Sequence, residues 1–154
     1  MALSPVDLVI KGGKTYLPGG LVECGIAAKD GRIVALAKSP HLPEADHVRD
    51  AEGLIILPGA VDLHVHVLLG RPAAKETFLT GTRAAAVGGV TTIVEMPTLG
   101  DRLTVSLENL RWKIGVGESE AVVDFALYAG EPRRLEHLSE LEDLVKEGVV
   151  GLKV

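Results

Sequence analysis

The chain lacks several features that would assign it to a specialised class of protein. It has one cysteine, Cys24, among 154 residues, so no internal disulfide can form and a reducing compartment is expected. No apolar run reaches the roughly 20 residues that a membrane-spanning helix needs. The amino-terminal stretch MALSPVDLVI lacks the charged and long apolar regions of a signal peptide. These absences predict a cytoplasmic protein that does not enter a membrane.

An excess of positive charge is also missing. Sixteen Lys and Arg residues stand against 21 Asp and Glu residues, which gives a formal net charge of −5, and no basic cluster is present. A nucleic-acid partner is therefore not expected. Hydrophobic residues make up 47% and charged residues 24% of the chain, a composition that is typical of folded globular proteins.

Residues 1–57 are predicted to form a small β layer. Segments 7–13, 20–38 and 53–59 carry β-branched residues between glycine and proline turn signals. Asp30-Gly31 is a hairpin signal, because this pair tolerates the positive φ angles of a tight turn. We expect these strands to pair in an antiparallel arrangement.

From Pro58 onward the pattern changes to strands that alternate with helices. Helical spacing is found among leucines and other aliphatic residues, and Gly148 is placed to end a helix. The strands start about 30 residues apart, as in a parallel sheet built from βα units. Residues 58–154 are too few for an eight-stranded barrel, which needs about 250 residues, so we expect three βα units and a fourth strand. The predicted strands are 60–67, 89–96, 121–130 and 148–154, and the helical positions are Leu103, Leu107, Leu110 and Ile114, then Leu138, Leu141 and Val145.

The stretch VDLHVHV, residues 61–67, places two histidines on one side of a strand. Successive side chains point to opposite faces, so Asp62, His64 and His66 share one face, and the four apolar residues share the other. Two imidazoles at this spacing can bind one metal ion, for which zinc is the best candidate. They would lie at the carboxyl end of the strand, where barrel enzymes carry their catalytic groups. A pair of core histidines bonded to backbone carbonyls is the open alternative.

Three longer motifs surround the histidine pair. PGAVDLHVH, KETFLTGTRAAAVGGVTTIVEMP and GVVGLKV together resemble the cyclic-amide branch of the amidohydrolase superfamily, which includes dihydroorotases, allantoinases and hydantoinases (dihydropyrimidinases). The resemblance covers nearly the whole chain. It implies an α/β fold in which residues 1–57 are part of a small β-sandwich. Residues 58–154 are then the N-terminal part of a (β/α)8 TIM barrel, incomplete at three βα units plus strand 4.

The resemblance also implies a binuclear zinc site. His64 and His66 match the pair that binds the more buried zinc ion, and Lys153 matches a lysine that becomes carbamylated and bridges two zinc ions. An ordinary lysine, with a pKa of about 10.4, is a cation and cannot bind zinc, whereas its carbamate is an anion with two oxygens. Asp62 is expected either to orient an imidazole without binding the metal itself or to cap nearby backbone. The implied reaction is attack of zinc-activated water on a ring amide carbon, which opens the ring.

Two departures from the dihydroorotase pattern bear on the substrate. Leu68 and Thr98 stand where those enzymes carry an arginine and an asparagine that hold the substrate carboxylate. Leucine cannot pair with a carboxylate, and Arg71 is the open substitute, so a hydantoin, dihydropyrimidine or allantoin ring is expected instead. Glu95 lies at the end of the second predicted strand. It is expected either to be near the substrate pocket or to be a buried partner of Arg83 or Lys75.

The remaining ligands that the resemblance implies, two histidines and an aspartate on later strands, have no counterpart among these residues. His41, His47 and His137 are expected at the surface. Open strand edges predict a homo-oligomer. Three hypotheses follow: part of a zinc cyclic amidohydrolase with a small-molecule cyclic amide as substrate, a non-catalytic remnant that acts as a dimer or scaffold partner, and a simple metal- or ligand-binding α/β module.

Overall fold

The protein forms two compact units, Met1–Pro58 and Gly59–Val154. The computed structural model describes residues 5–67, 76–97, 102–131 and 135–153. Within these ranges no helix is long and apolar enough to cross a membrane. The first unit is built from strands and the second from alternating strands and helices, so the chain is a mixed α/β protein.

The first unit contains two sheets, with strand orders β5-β4-β1-β6 and β3-β2-β7. The expectation of an antiparallel layer is wrong for two pairs, because β1 is parallel to β6 and β2 is parallel to β7. Long crossovers separate the members of both pairs in sequence, and such crossovers are what parallel pairing needs. The strands are β1 Val6–Lys11, β2 Lys14–Leu17, β3 Gly20–Val22, β4 Gly25–Lys29, β5 Arg32–Ala37, β6 Ala45–Asp50 and β7 Ile55–Ile56, with a 3-10 helix at Ser39–His41.

The hairpin predicted at Asp30-Gly31 is confirmed. It joins β4 to β5 in antiparallel register, and its two residues have φ angles of 50° and 69°. Both angles lie in the left-handed region that a two-residue type I′ turn requires. The N–H of Asp30 also donates to Oδ2 of Asp7 at 2.6 Å, which ties the turn to β1.

The second unit has a parallel sheet with strand order β10-β9-β8. The predicted fourth strand is less regular than expected. Residues 148–153 form a single parallel bridge, between Ala129 and Leu152, rather than a strand. The elements are β8 Ala60–Val65, α1 Phe78–Val87, β9 Val90–Glu95, α2 Leu107–Glu120, β10 Asp124–Leu127, α3 Leu135–Leu138 and α4 Leu141–Glu147.

Local capping explains where the helices begin and end. Helix α2 begins at Leu107 rather than Leu103, because Oγ of Ser106 accepts the N–H of Asn109 at 3.3 Å and caps the first turn. Helix α4 ends as predicted at Gly148, whose φ is +105°. The single helix expected across 138–145 is instead two short helices, α3 and α4, with a turn between them.

The core of the second unit lies between the sheet and the helices. The rings of Phe78 and Phe125 meet edge-on, with centroids 5.3 Å apart. A Cβ at Gly117 of α2 would lie 2.4 Å from Cζ of Phe125, so the helix approaches the sheet this closely because residue 117 has no side chain. In β8, Val65 packs against the core, whereas Val61 and Leu63 are 56% and 62% exposed. The register with β9 shifts between Asp62 and Val65, so regular alternation does not hold along the whole strand. The buried core residues are Val67, Phe78, Ile93, Leu110, Leu127, Ala129 and Leu144.

Candidate metal centre

The two histidines lie at the carboxyl end of β8, on the face that is turned away from the helices. Val65, between them, packs against the core on the helix side, so by alternation both imidazoles point to the opposite face. Their ring centroids are 5.5 Å apart, and the ring planes are inclined at 51°. Both side chains are largely exposed. The alternative of core histidines that bond to backbone carbonyls does not fit this exposure.

The spacing of the rings fits a shared metal ion. An imidazole nitrogen binds zinc at about 2.0–2.1 Å, which puts the ring centroid roughly 3 Å from the ion. Two rings at the tetrahedral angle then have centroids about 5 Å apart. The 5.5 Å between the centroids of His64 and His66 is close to this distance. Two imidazoles at this spacing are therefore a suitable pair of zinc donors.

Lys153 lies on the same face of the sheet as the histidines. Leu152 pairs with Ala129, which is fully buried on the helix side, so the next residue points the other way. The N–H of Lys153 donates to the carbonyl oxygen of Ala129 at 2.8 Å, which holds this backbone against the third strand. The structure brings the three predicted ligands to one face, and their binding of zinc stays a prediction.

Local electrostatics favour the neutral form of His66. Partial burial lowers the pKa of His66 below its ordinary value of 6.5, and His64, Lys113 and Lys153 lower it further by repelling an added positive charge. A neutral imidazole is the form that binds metal ions.

Asp62 has the second of its two predicted roles. Its Oδ1 accepts the backbone N–H of His64 at 3.0 Å, so the carboxylate caps backbone at the histidine pair. No group of three or more His, Cys, Asp or Glu residues that could hold a metal ion is found in the described part of the chain. A site built on His64 and His66 therefore needs Lys153, or donors from elsewhere, as its further ligands.

Glu95 pairs with a lysine that the sequence analysis did not name. Its Oε2 lies 2.5 Å from Nζ of Lys113 on α2, and both side chains are 0% exposed. The reason is register: Glu95 pairs with Val65 and Leu127, whose side chains face the helices, and so its carboxylate points toward α2. Of the two expected partners, Arg83 is exposed on α1, and Lys75 lies outside the described residues, so a contact between Glu95 and Lys75 stays a prediction.

Lys113 is the residue that the sequence analysis missed. Burial lowers its pKa, and the neighbouring carboxylate of Glu95 opposes that shift. Its Nζ also donates to the carbonyl oxygen of Met96 at 3.1 Å. A signal was present in the sequence, because Lys113 lies three residues after Leu110 and directly before Ile114, on the apolar side of the helix.

Leu68, Thr98 and Arg71 lie outside the described residues, so their contacts with a substrate stay predictions. His41 and His47 are exposed in the first unit, as expected, and His137 is half-buried in α3.

Known proteins with similar sequences match this chain over part of their length. The profile of the family described as "Dihydro-orotase-like" matches residues 53–132. An allantoinase from Salmonella gallinarum is 39% identical over 148 residues, which cover 96% of this chain and 32% of that protein. The chain thus spans about a third of the length of the curated relatives that it matches.

Solved structures also match this chain over about a third of their length. The L-hydantoinase (dihydropyrimidinase) from Arthrobacter aurescens superposes with a TM-score of 0.84 at 33% identity, over 96% of this chain and 32% of that one. A zinc complex of N-acyl-D-glutamate deacylase from Bordetella bronchiseptica matches with a TM-score of 0.65 at 19% identity, over 97% of this chain and 38% of that one, which shows a shared fold alone. The family match over more than half of the chain and the hydantoinase-like structure agree, and the chain belongs to the dihydro-orotase-like family of cyclic amidohydrolases.

Proposed function

We propose that this chain carries the first part of the active site of a zinc-dependent hydrolase that opens a cyclic amide ring. The observation that carries the proposal is the pair of imidazoles of His64 and His66, 5.5 Å apart at the carboxyl end of a parallel strand. Lys153 shares their face of the sheet, and the second unit is then the N-terminal part of a (β/α)8 barrel. The match to allantoinase and hydantoinase supports the reaction class.

Each residue of this site has a separate task. His64 and His66 would hold one zinc ion through their ring nitrogens, and Asp62 fixes the backbone of His64 by accepting its N–H. Lys153 needs a chemical change first: its neutral amine adds to carbon dioxide and releases a proton, which leaves a carbamate with two oxygen donors. When bound, zinc lowers the pKa of water and polarises the carbonyl oxygen of the substrate.

We propose a ring without a carboxylate as the substrate: a hydantoin, a dihydropyrimidine or allantoin. Leu68, two residues after His66, offers no positive charge, and Thr98 offers a hydroxyl rather than an amide. A substrate carboxylate left unpaired beside leucine would be costly to bury, whereas the ring amides of an uncharged substrate need hydrogen-bond partners alone.

Zinc binding by the 154-residue chain tests the proposal. We expect zinc to copurify or to titrate to a defined stoichiometry, and His64→Ala or His66→Ala to weaken binding by at least about tenfold, measured by competition with a chromophoric chelator. His47→Ala, which removes an exposed histidine of the first unit, is the matched control and should bind like the parent chain. Chain that binds no zinc above the level of the double variant His64→Ala/His66→Ala would contradict the proposal.

The role of Lys153 has its own test. Added bicarbonate should raise the zinc content of the parent chain and leave the zinc content of Lys153→Met unchanged, because methionine cannot form a carbamate.

The substrate class has a separate test. Ring opening is followed with allantoin, hydantoin and dihydrouracil in parallel, with dihydroorotate as the substrate expected to fail. Equal turnover of dihydroorotate would overturn the proposed substrate class.

A non-catalytic function is the second candidate, and the exposure of β8 favours it. Val61 and Leu63 are 56% and 62% exposed, and β8 is the edge of its three-stranded sheet. We propose that a second copy of the chain pairs along this edge. Sedimentation velocity should then show a dimer that Leu63→Lys dissociates, and a zinc-free dimer without turnover would favour this function over hydrolysis.

A further inference from the structure

A buried ion pair lies between the sheet and α2 of the second unit. The side chains of Glu95 and Lys113 are both 0% exposed, and their charged atoms are 2.5 Å apart. Removing two charges from water is so costly that a buried pair is often no more stabilising than apolar side chains of the same volume. Stability therefore does not explain why residues 95 and 113 are charged rather than apolar.

The pair is hydrogen-bonded to backbone that leads to the two histidines. Nζ of Lys113 donates to the carbonyl oxygen of Met96 at 3.1 Å. The N–H of Met96 in turn donates to the carbonyl oxygen of Val65 at 2.7 Å. Val65 lies between His64 and His66, so one residue, Met96, connects the buried ammonium to the backbone of the histidine pair.

Glu95 connects the carboxyl end of β9 to the third strand, β10. Its register partners are Val65 in β8 and Leu127 in β10, and its carbonyl oxygen accepts the N–H of Tyr128 at 3.0 Å. The carboxyl ends of three parallel strands therefore meet around this residue. A lysine ammonium has three donors, so it can hold the carboxylate of Glu95 and a backbone carbonyl at once. An apolar side chain could fill the space and hold neither.

We propose that Glu95 and Lys113 are positioning residues, which fix Met96 and through it the spacing of His64 and His66 for a divalent cation. The inference rests on the zinc-dependent function proposed above. The carboxylate has a further task, because it neutralises an ammonium that would otherwise repel a cation held by the histidines.

The double variant Glu95→Leu/Lys113→Met separates positioning from stability. It keeps approximately the same volume, so its resistance to urea should equal or exceed that of the parent chain. We expect protection of the Met96 amide against hydrogen exchange to fall by about tenfold, and the imidazole NMR signals of His64 and His66 to shift. Zinc affinity should fall by about 10–100-fold, as it does when groups behind metal ligands are removed.

The exposed pair on the same helix provides the matched control. Arg111→Gln/Glu147→Gln removes an ion pair of the same type at the surface, and it should leave Met96 protection, imidazole signals and zinc affinity unchanged. If the Leu/Met variant does not fold, Glu95→Gln/Lys113→Gln, which removes the charges and keeps hydrogen-bonding groups, is measured in its place.

The outcomes distinguish this inference from the function on which it rests. A folded double variant with unchanged Met96 protection and unchanged imidazole signals would overturn the positioning role, whether or not zinc binds. Parent chain that binds no zinc would overturn the proposed function, and exchange at Met96 together with the imidazole signals would still decide the positioning role.

Discussion

The ring of Tyr128 lies directly against the backbone of Gly151, so closely that a Cβ at residue 151 would be 2.8 Å from Cε1 of the ring. The carbonyl oxygen of Gly151 accepts the N–H of Ala129 at 3.0 Å, which prevents this backbone from moving away easily. Lys153 lies two residues further along the same segment. The absence of a side chain at 151 therefore lets the segment that carries a predicted ligand pack beside the third strand.

Gly151→Ala should destabilise the second unit. The added methyl must displace the tyrosine ring or the backbone, and overpacking of this kind costs about 1–3 kcal/mol. The free energy of unfolding in urea measures the effect. In a Tyr128→Ala background the same substitution should cost much less, because the clashing ring is gone; an equal cost in both backgrounds would show that this contact does not matter.

Two glycines on α2 should respond in opposite ways to alanine. A Cβ at Gly117 would lie 2.4 Å from Cζ of Phe125, so Gly117→Ala should separate helix and sheet and cost about 1–3 kcal/mol. Gly115, two residues earlier and on a different side of the helix, has nothing within 4 Å of its Cβ site. Gly115→Ala should stabilise the chain by about 0.5–1 kcal/mol, because alanine favours the helix. The thermal unfolding midpoints of the two variants, compared with that of the parent chain, show whether the two changes in stability have opposite signs.

Single substitutions in the buried ion pair should be worse than the double substitution. Lys113→Met removes one partner of the buried ion pair together with its hydrogen bond to Met96, which is expected to cost about 3–5 kcal/mol. Urea midpoints of the single and double variants measure the difference. A single variant that is as stable as the double variant would show that the two charges act independently.

The surface pair of Arg111 and Glu147 should make stability depend on pH in the acid range. The hydrogen bond from Arg111 lowers the pKa of Glu147 below its ordinary value of 4.5. A carboxyl with a lowered folded-state pKa contributes stability above its unfolded-state pKa, and the contribution disappears as the pH falls through the folded-state value. Glu147→Gln should therefore lower the urea midpoint slightly at pH 7 and leave it unchanged near pH 2. The side chain of Arg111 is 62% exposed and that of Glu147 is 29% exposed, so 1 M salt should reduce the difference at pH 7.

The burial of Val65 was predictable because alternation along a strand is a local property. The sequence places Val65 on the face opposite His64 and His66, and Val65 packs against the core. Regular alternation does not extend back to Asp62, because the register with β9 shifts between Asp62 and Val65. The hairpin at Asp30-Gly31 and the helix end at Gly148 were predictable for the same reason, because both depend on the φ angles of one or two residues.

Features that depend on distant partners were not predictable. The sequence places Lys113 on the apolar side of α2, but its partner could not be identified, because Glu95 is 18 residues away in sequence. Strand β6 was missed because its sequence, ADHVRD, is mostly exposed and charged, and what makes it a strand is parallel pairing with β1. The parallel pairs of the first unit depend on long crossovers, which no local pattern reveals.

The hairpin of the first unit also bears on the order in which that unit folds. Strands β4 and β5 are joined by two residues whose backbone is already suited to the turn, so they can meet within about 1–10 μs, whereas β1 must wait for β6 across more than thirty intervening residues. We expect the rate-limiting step of folding in this unit to be the long-range docking of β6 rather than formation of the turn. The substitution Asp30→Gly still allows the turn to form. It should therefore change the folding rate less than a substitution that weakens β6.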